Sequence, residues 1–225
     1  MTDGRPRNSG QEVPHSAAFR RQVANAVRAA EFEAREFAGV PVFHDQPSLL
    51  EASIRAVDPA LGCWVELGFG GAESALQIRA IAARAGLTMT LHGFDSFEGL
   101  PEDWGGEAKK HDYRFARPHL DLPDIRVHEG WFHESIPRAL PELAGRIGFV
   151  HVDCDLYSST RTAFELLGER LGPGTVIQFD EYWNYLEAEE GELRAFREFL
   201  AKQDLGFRYL GYNANYMQAS VLLET

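Results

Sequence analysis

Two acidic pairs carry most of the chemistry legible in this sequence. Phe149-Val150-His151-Val152 is an apolar run that stops at Asp153-Cys154-Asp155, and Thr175 to Phe179 is a second that stops at Asp180-Glu181. Each run reads as a strand buried on both faces, with its acids where the strand ends. One helix-length segment separates them. If the strands are parallel neighbours, four carboxylates converge on the carboxyl edge of one sheet, where open α/β sheets bind ligands. Four acids so placed repel one another, and a metal ion or raised pKa values would relieve them. Hard oxygen donors with no Cys/His set nearby favour Mg²⁺, with Mn²⁺ or Ca²⁺ as alternatives. The competing reading is structural: Asp153 and Asp155 cap the following helix and Glu181 is solvated. Strand alternation puts His151 on the same side as Asp153 and Asp155. It reads first as a satisfied core histidine and second as a partner of the acids.

A glycine turn precedes these strands. Val65-Glu66-Leu67-Gly68-Phe69-Gly70-Gly71 ends a strand and opens a helix, which lets backbone approach a ligand closely. The dinucleotide pattern G-x-G-x-x-G is broken, because Glu73 stands at its third position. An acid there would repel a pyrophosphate at the helix N-terminus. Glu66 suits an ammonium or hydroxyl group better. Asp95 ends the next strand, placed to accept hydrogen bonds from ribose hydroxyls; the structural alternative is a turn cap shared with Ser96. Together these features point to an adenosine bearing an amino acid, S-adenosylmethionine.

The elements that must position these residues alternate. The patterning predicts strands over Cys63–Leu67, Thr88–Phe94, Ile125–His128, Ile147–Val152, Val176–Phe179, Phe207–Tyr212 and Tyr216–Leu223. Helices are expected over Ala72–Ala85, Glu134–Leu143, a segment capped by Ser158-Ser159-Thr160 and running to Leu171, and Glu192–Gln203. The expected fold is α/β: a doubly wound, seven-stranded, mostly parallel Rossmann-like sheet, with a C-terminal antiparallel hairpin and N-terminal helices. Those helices run from His15 to Phe37, capped by Ser16, and from Pro47 to Val57, capped by Ser48. The first would pack on the sheet edge, roof the active site or pair with a second subunit. Met1–Pro14 is expected to be a disordered tail, 15–58 to hold the N-terminal helices and 59–225 to form the catalytic domain. Residues 98–124, rich in Gly, Pro, Asp and Glu, form a long irregular stretch of the kind used as a lid.

Composition excludes several classes. A net charge of −12 opposes non-specific nucleic-acid binding and anionic membranes. No stretch approaches the ~18–20 apolar residues of a membrane span. The two cysteines, Cys63 and Cys154, read as buried thiols of a reducing cytoplasm. His128 and His133 read as surface or capping residues. Tyr182, Trp183 and Tyr185 would wall an acceptor site or form a packing cluster, and Glu187–Glu192 reads as a solvated loop and helix start.

Val65-Glu66-Leu67-Gly68, Phe94-Asp95-Ser96-Phe97-Glu98-Gly99-Leu100-Pro101, Gly130-Trp131-Phe132, His151-Val152-Asp153-Cys154-Asp155-Leu156-Tyr157 and Phe179-Asp180-Glu181-Tyr182 together resemble the macrocin O-methyltransferase family. These are class I, metal-dependent methyltransferases acting on sugar hydroxyls of macrolide and aminocoumarin antibiotics. The resemblance implies that Glu66, Gly68 and Ser74 line the methionine end of the cofactor. It puts Asp95 at the ribose beside Ser96 and Phe97, and Gly130 and Trp131 at the adenine. Asp153, Asp180 and Glu181 match metal ligands, and Asp155 a general base, with Asp153 as the other candidate. The chain departs from the family at Ala72-Glu73, where Gly-Gly is usual, and at Glu181, where Asp is commoner. The expected activity is therefore Mg²⁺-assisted O-methylation of a small hydroxylated acceptor, most simply a sugar on a natural product, by a cytoplasmic enzyme able to form a homo-oligomer. A metal-dependent nucleotide-sugar glycosyltransferase and a non-catalytic cofactor-binding protein are the competing readings.

Overall fold

The computed structural model describes residues 16–105 and 108–225; the expected tail over 1–14 lies outside the described residues. In chain order the elements are α1 (Ala17–Glu36), β1 (Val42–Phe43), α2 (Gln46–Arg55), β2 (Cys63–Leu67), α3 (Glu73–Arg84), β3 (Thr90–Asp95) and β4 (Ile125–Glu129). There follow α4 (Phe132–Ala139), β5 (Ile147–Val152), α5 (Tyr157–Leu167), β6 (Val176–Phe179), α6 (Glu192–Gln203), β7 (Gly206–Asn213) and β8 (Ala219–Glu224). The strands form one sheet in the order β1-β7-β8-β6-β5-β2-β3-β4. Only β8 runs against its neighbours, β6 and β7. The other pairs are parallel.

The sheet has eight strands where the sequence pattern predicts seven. The added strand, β1, is two residues long, too short for any periodicity to register. It pairs with Tyr212 and Asn213 at the β7 edge. The hairpin partner β8 starts at Ala219 rather than Tyr216, because residues 214–218 are spent on the connection.

Central strands β2 and β5 are buried along their whole length, as expected of parallel strands covered on both faces. Val65, Leu67, Val150, Val152, Ile177 and Phe179 pack with Ile136, Ala163, Phe164 and Phe196 from α4, α5 and α6. On the opposite face, Trp64, Leu91 and Phe149 pack with Leu50, Ile54, Ile78 and Ile81 from α2 and α3. Each such large side chain contributes roughly 1.5–3 kcal/mol when fully buried.

Two end signals differ from expectation. Asp45, not Ser48, caps α2: its Oδ1 accepts the Ser48 amide at 2.8 Å, and the Ser48 hydroxyl donates to Oδ2. No side chain caps α5, which starts at Tyr157. Thr160 instead donates back to the Leu156 carbonyl, and Ser158 donates to Glu102 in the long loop. Helix α1 keeps its Ser16 cap. It docks on the segment after β6: Asn25 donates to the Asn184 carbonyl, Arg28 to the Leu186 carbonyl, and Phe32 stacks on Trp183. Phe19, Val23 and Val27 lie on its exposed side. No helix among the described residues is long and apolar enough to cross a membrane.

His128 is neither a surface nor a capping residue. Its ring stacks on Phe94 and on His92 of the adjacent strand, with His92 Nδ1 and His128 Nε2 sharing one hydrogen bond at 3.0 Å. Burial, reinforced by His128, holds His92 down to about 4. An unfolded histidine titrates near 6.5, so between pH ~6.5 and ~4 the unfolded chain takes up a proton that the folded pair refuses. Stability carried by this pair is full above pH ~6.5 and is lost as pH falls toward 4, by on the order of 2–3 kcal/mol. Buried carboxyls with raised pKa act with the opposite sign, so the comparison must be differential. Urea unfolding at pH 7 and 4.5 should show a steeper acid loss for wild type than for His92→Gln.

Candidate active site

Sheet register builds the site. Phe94, Leu67, Val152 and Phe179 lie side by side across β3, β2, β5 and β6. The residues that follow them, Asp95, Gly68, Asp153 and Asp180, therefore stand in one row along the carboxyl edge. Backbone hydrogen bonds extend the ladder into that row: Gly68 N–H donates to Phe94 O, Asp153 N–H to Leu67 O, and Asp180 N–H to Val152 O, at 2.8–2.9 Å. Gly68 has φ +91°, and a Cβ there would lie 1.7 Å from the Asp153 carbonyl oxygen. Only glycine permits this approach.

A cavity of about 920 Å³ opens on the row. Of the residues singled out in the sequence, Gly68, Ser74, Asp95, Ser96, Trp131, Asp153, Asp155 and Glu181 line it. Glu66, Phe97, Gly130 and Asp180 do not. Glu66 is fully buried and its carboxylate meets His151 Nδ1 at 3.0 Å. Phe97 packs into the core around α3. Gly130, at φ +125°, donates its amide to Asp95 O and so sets the turn before Trp131. Asp95 holds its own loop: Oδ1 accepts the Phe97 amide at 2.7 Å and Oδ2 the Gly70 amide at 2.8 Å. The turn-cap role and a place on the cavity wall thus coexist. The long segment lies over the same cavity, contributing Leu100, Trp104, Lys110, Tyr113 and Phe115. It is folded back on itself, with Leu100 exchanging backbone hydrogen bonds with His111 and Asp112.

Carboxylate oxygens of Asp153, Asp180 and Glu181 all fall within 4.8 Å of one another. Burial, then the charge of Asp180, raises the Asp153 carboxyl above its usual range, with His151 pulling the other way. Asp155, in the left-handed backbone region at φ +63°, is lifted to about 7 by burial and by the charges of Asp180 and Asp95. Burial, Glu192 and Asp180 raise Glu181. His151 is fully buried. Burial alone would lower it, but the hydrogen bond and charge of Glu66, with Asp153 and Asp180 beyond, carry it up to about 9. It lies between Glu66 and Asp180, its Nε2 4.0 Å from Asp180 Oδ1 and buried without a hydrogen-bond partner. Glu181 Oε2 and Glu66 Oε2 are buried without a hydrogen-bond partner. Buried polar atoms are nearly always satisfied. Three carboxylates that share a site and leave an oxygen orphaned fit a hard divalent cation.

Two side chains at this edge escaped the sequence reading. Gln46 at the start of α2 lines the cavity and donates Nε2 to Asp180 Oδ1 at 2.9 Å. Glu192 is not solvated but fully buried at the start of α6, and its carboxyl is raised by burial and by Asp155 and Asp153. Its signal was present: it lies four residues before Phe196 and seven before Phe199, on the apolar face. Among the aromatics, Tyr182 and Trp183 belong to a packing cluster with Phe32, Phe37 and Tyr209, whereas Tyr185 meets Trp104 at the cavity wall. His133 is exposed at the cavity mouth.

A mostly parallel sheet with one antiparallel strand near its end, and a glycine turn facing an acid on the adjacent strand tip, is the architecture of class I methyltransferases. The chain belongs to the methyltransferase-domain family, whose model matches residues 65–182, more than half of its length. It is 31% identical over 145 residues to the 8-demethyl-8-(2,3-dimethoxy-alpha-L-rhamnosyl)-tetracenomycin-C 4'-O-methyltransferase of Streptomyces olivaceus. That match covers 56% of this chain and only 54% of the relative. Among solved structures, the O-methyltransferase NovP superposes with a TM-score of 0.59 at 21% identity, over 78% of this chain and 76% of its own. The calicheamicin methyltransferase CalS11 gives a TM-score of 0.59 at 19% identity, over 99% of both chains. These two likenesses carry the fold.

Proposed function

We propose that this protein is an S-adenosylmethionine-dependent, divalent-cation-assisted O-methyltransferase whose acceptor is a hydroxyl on a sugar of a natural product. The observation that carries the reading is the single row of Asp95, Gly68, Asp153 and Asp180 beside one cavity, with Glu181 and Asp155 facing into it. The curated relative, named for a sugar 4'-O-methylation, supports the acceptor class. Glu73 in the first turn of α3 lines the cavity and disfavours a diphosphate there, against the glycosyltransferase reading.

In this reading the methionine end of the cofactor lies over Gly68 and Ser74. Asp95 has two lone-pair positions engaged by amides and the rest free for ribose hydroxyls, with Ser96 and Phe97 shaping the loop beside it. Trp131, on the turn set by Gly130, flanks the adenine. Glu66 acts behind the row, holding the His151 ring in place beside the acids. Asp153, Asp180 and Glu181 would hold Mg²⁺, with Mn²⁺ or Ca²⁺ as substitutes, and such an ion lowers the pKa of a bound hydroxyl and fixes its position. The cofactor would supply an electrophilic methyl group to the acceptor oxygen, with its thioether as leaving group, and Asp155 or Asp153 would take the hydroxyl proton. The products are a methyl ether and S-adenosylhomocysteine. A carboxylate pushed up by burial and neighbouring acids, as Asp155 is, suits that transfer.

The test is S-adenosylhomocysteine release from a panel of glycosylated natural products, with and without Mg²⁺. Cofactor binding with no turnover on any acceptor would favour a binding protein. Nucleoside diphosphate binding without cofactor binding would favour a glycosyltransferase. The ribose role has its own check. Asp95→Ala should weaken S-adenosylhomocysteine binding in calorimetry by at least about tenfold, the loss of a charged acceptor of hydrogen bonds. Unchanged affinity removes that role.

A further inference from the structure

We propose that Glu192 is a positioning residue: one buried carboxylate that ties the two acidic strand tips together and adds negative charge behind them for a bound cation. The inference rests on the cation-assisted reading above. Glu192 opens α6 and is fully buried. Its Oε1 accepts the backbone amide of Cys154, the residue between Asp153 and Asp155, at 3.5 Å. Its Oε2 accepts the amide of Glu181, next to Asp180, at 3.3 Å. The Cys154 thiol lies on the same oxygen, 3.9 Å from Oε1.

The choice of an acid at this position is what needs explaining. Two amides could be satisfied by a neutral acceptor, and the neighbouring positions Leu193 and Phe196 show that this helix face is otherwise apolar. Burying a carboxylate costs free energy unless it is compensated, and here its nearest charged neighbours are other acids. The α6 N-terminus offsets part of that cost. A cation on the far side of Glu181, Asp180 and Asp153 would offset the rest. Groups that hold metal ligands in place commonly change metal affinity by 10–100-fold when altered.

The test compares wild type with Glu192→Gln, which keeps the shape and removes the charge. Calorimetric titration with Mn²⁺ should show affinity reduced at least about tenfold. S-adenosylhomocysteine affinity should be unchanged, and the Tm of the metal-free protein should change little, because glutamine keeps the shape. A purely structural brace predicts the reverse, a lower metal-free Tm with unchanged Mn²⁺ affinity, and that result overturns the proposal. Glu192→Asp, which keeps the charge and shortens the reach, covers the case in which the Gln variant fails to fold. Its Mn²⁺ affinity should stay within a few-fold of wild type, and a loss of tenfold or more on this variant alone assigns the effect to packing and overturns the role of charge. Wild type that binds no Mn²⁺ sinks the cation reading itself, whereas wild type that binds, beside a Gln variant that binds equally well, sinks only this proposal.

Discussion

Asp153→Asn is expected to cut turnover by on the order of 10³-fold or more, about 4 kcal/mol of transition-state stabilisation, without unfolding the protein. Asp153 stands at the centre of the row, between Gly68 and Asp180, with its carboxylate among those of Asp180 and Glu181. Asparagine is nearly isosteric and keeps one oxygen, so the backbone bond from Asp153 N to Leu67 O survives. The metal-free protein should melt at close to the same temperature, since the side chain keeps its shape. S-adenosylhomocysteine affinity, which the proposed site sets mainly at Asp95 and Gly68, should change little. Wild type in excess chelator should lose activity in parallel. Full activity of the variant, or of wild type with chelator, would end the case for metal assistance.

Gly68→Ala is expected to lose 3 kcal/mol or more of unfolding free energy, roughly the sum of left-handed strain and a backbone clash that cannot relax. The added Cβ would sit 1.7 Å from Asp153 O and 2.7 Å from the carbonyl carbon, both main-chain atoms of a buried strand end. Relief means separating β2 from β5, which breaks the row that carries the site. Gly145→Ala is the control. It shares a positive φ, +70°, but has no atom within 4 Å of the built Cβ, so it should lose only about 1–2 kcal/mol. Urea unfolding of both variants separates strain from collision. Equal losses would mean that the strand ends part easily.

Legibility in the sequence followed locality. The strand ending at Asp153 and the helix Glu192–Gln203 have the predicted bounds, because each is a long periodic segment with its own stop signals. The acids of β5 and β6 were found for the same reason. What escaped depends on contacts between remote segments. Gln46 reaches Asp180 across 134 residues of chain, and nothing near Gln46 advertises this. Glu192 was hidden inside a charged run whose other members, such as Glu189 and Glu190, are exposed. The stacked pair of His92 and His128 arises only when β3 and β4 align in register. Glu66 was given to the cofactor because it precedes the glycine turn. Strand alternation instead turns it inward to His151, a contact 85 positions away in sequence.

The placement of β8 has a consequence for how the molecule is made. Strand β6, which carries Asp180 and Glu181 at its tip, receives β5 as one neighbour before it is itself synthesised, but its other neighbour is Ala219–Glu224, translated after every other strand. At roughly 5–20 residues per second on the ribosome, β6 waits a few seconds with one edge bare. Over that interval the strand that carries Asp180 and Glu181 has one unpaired edge.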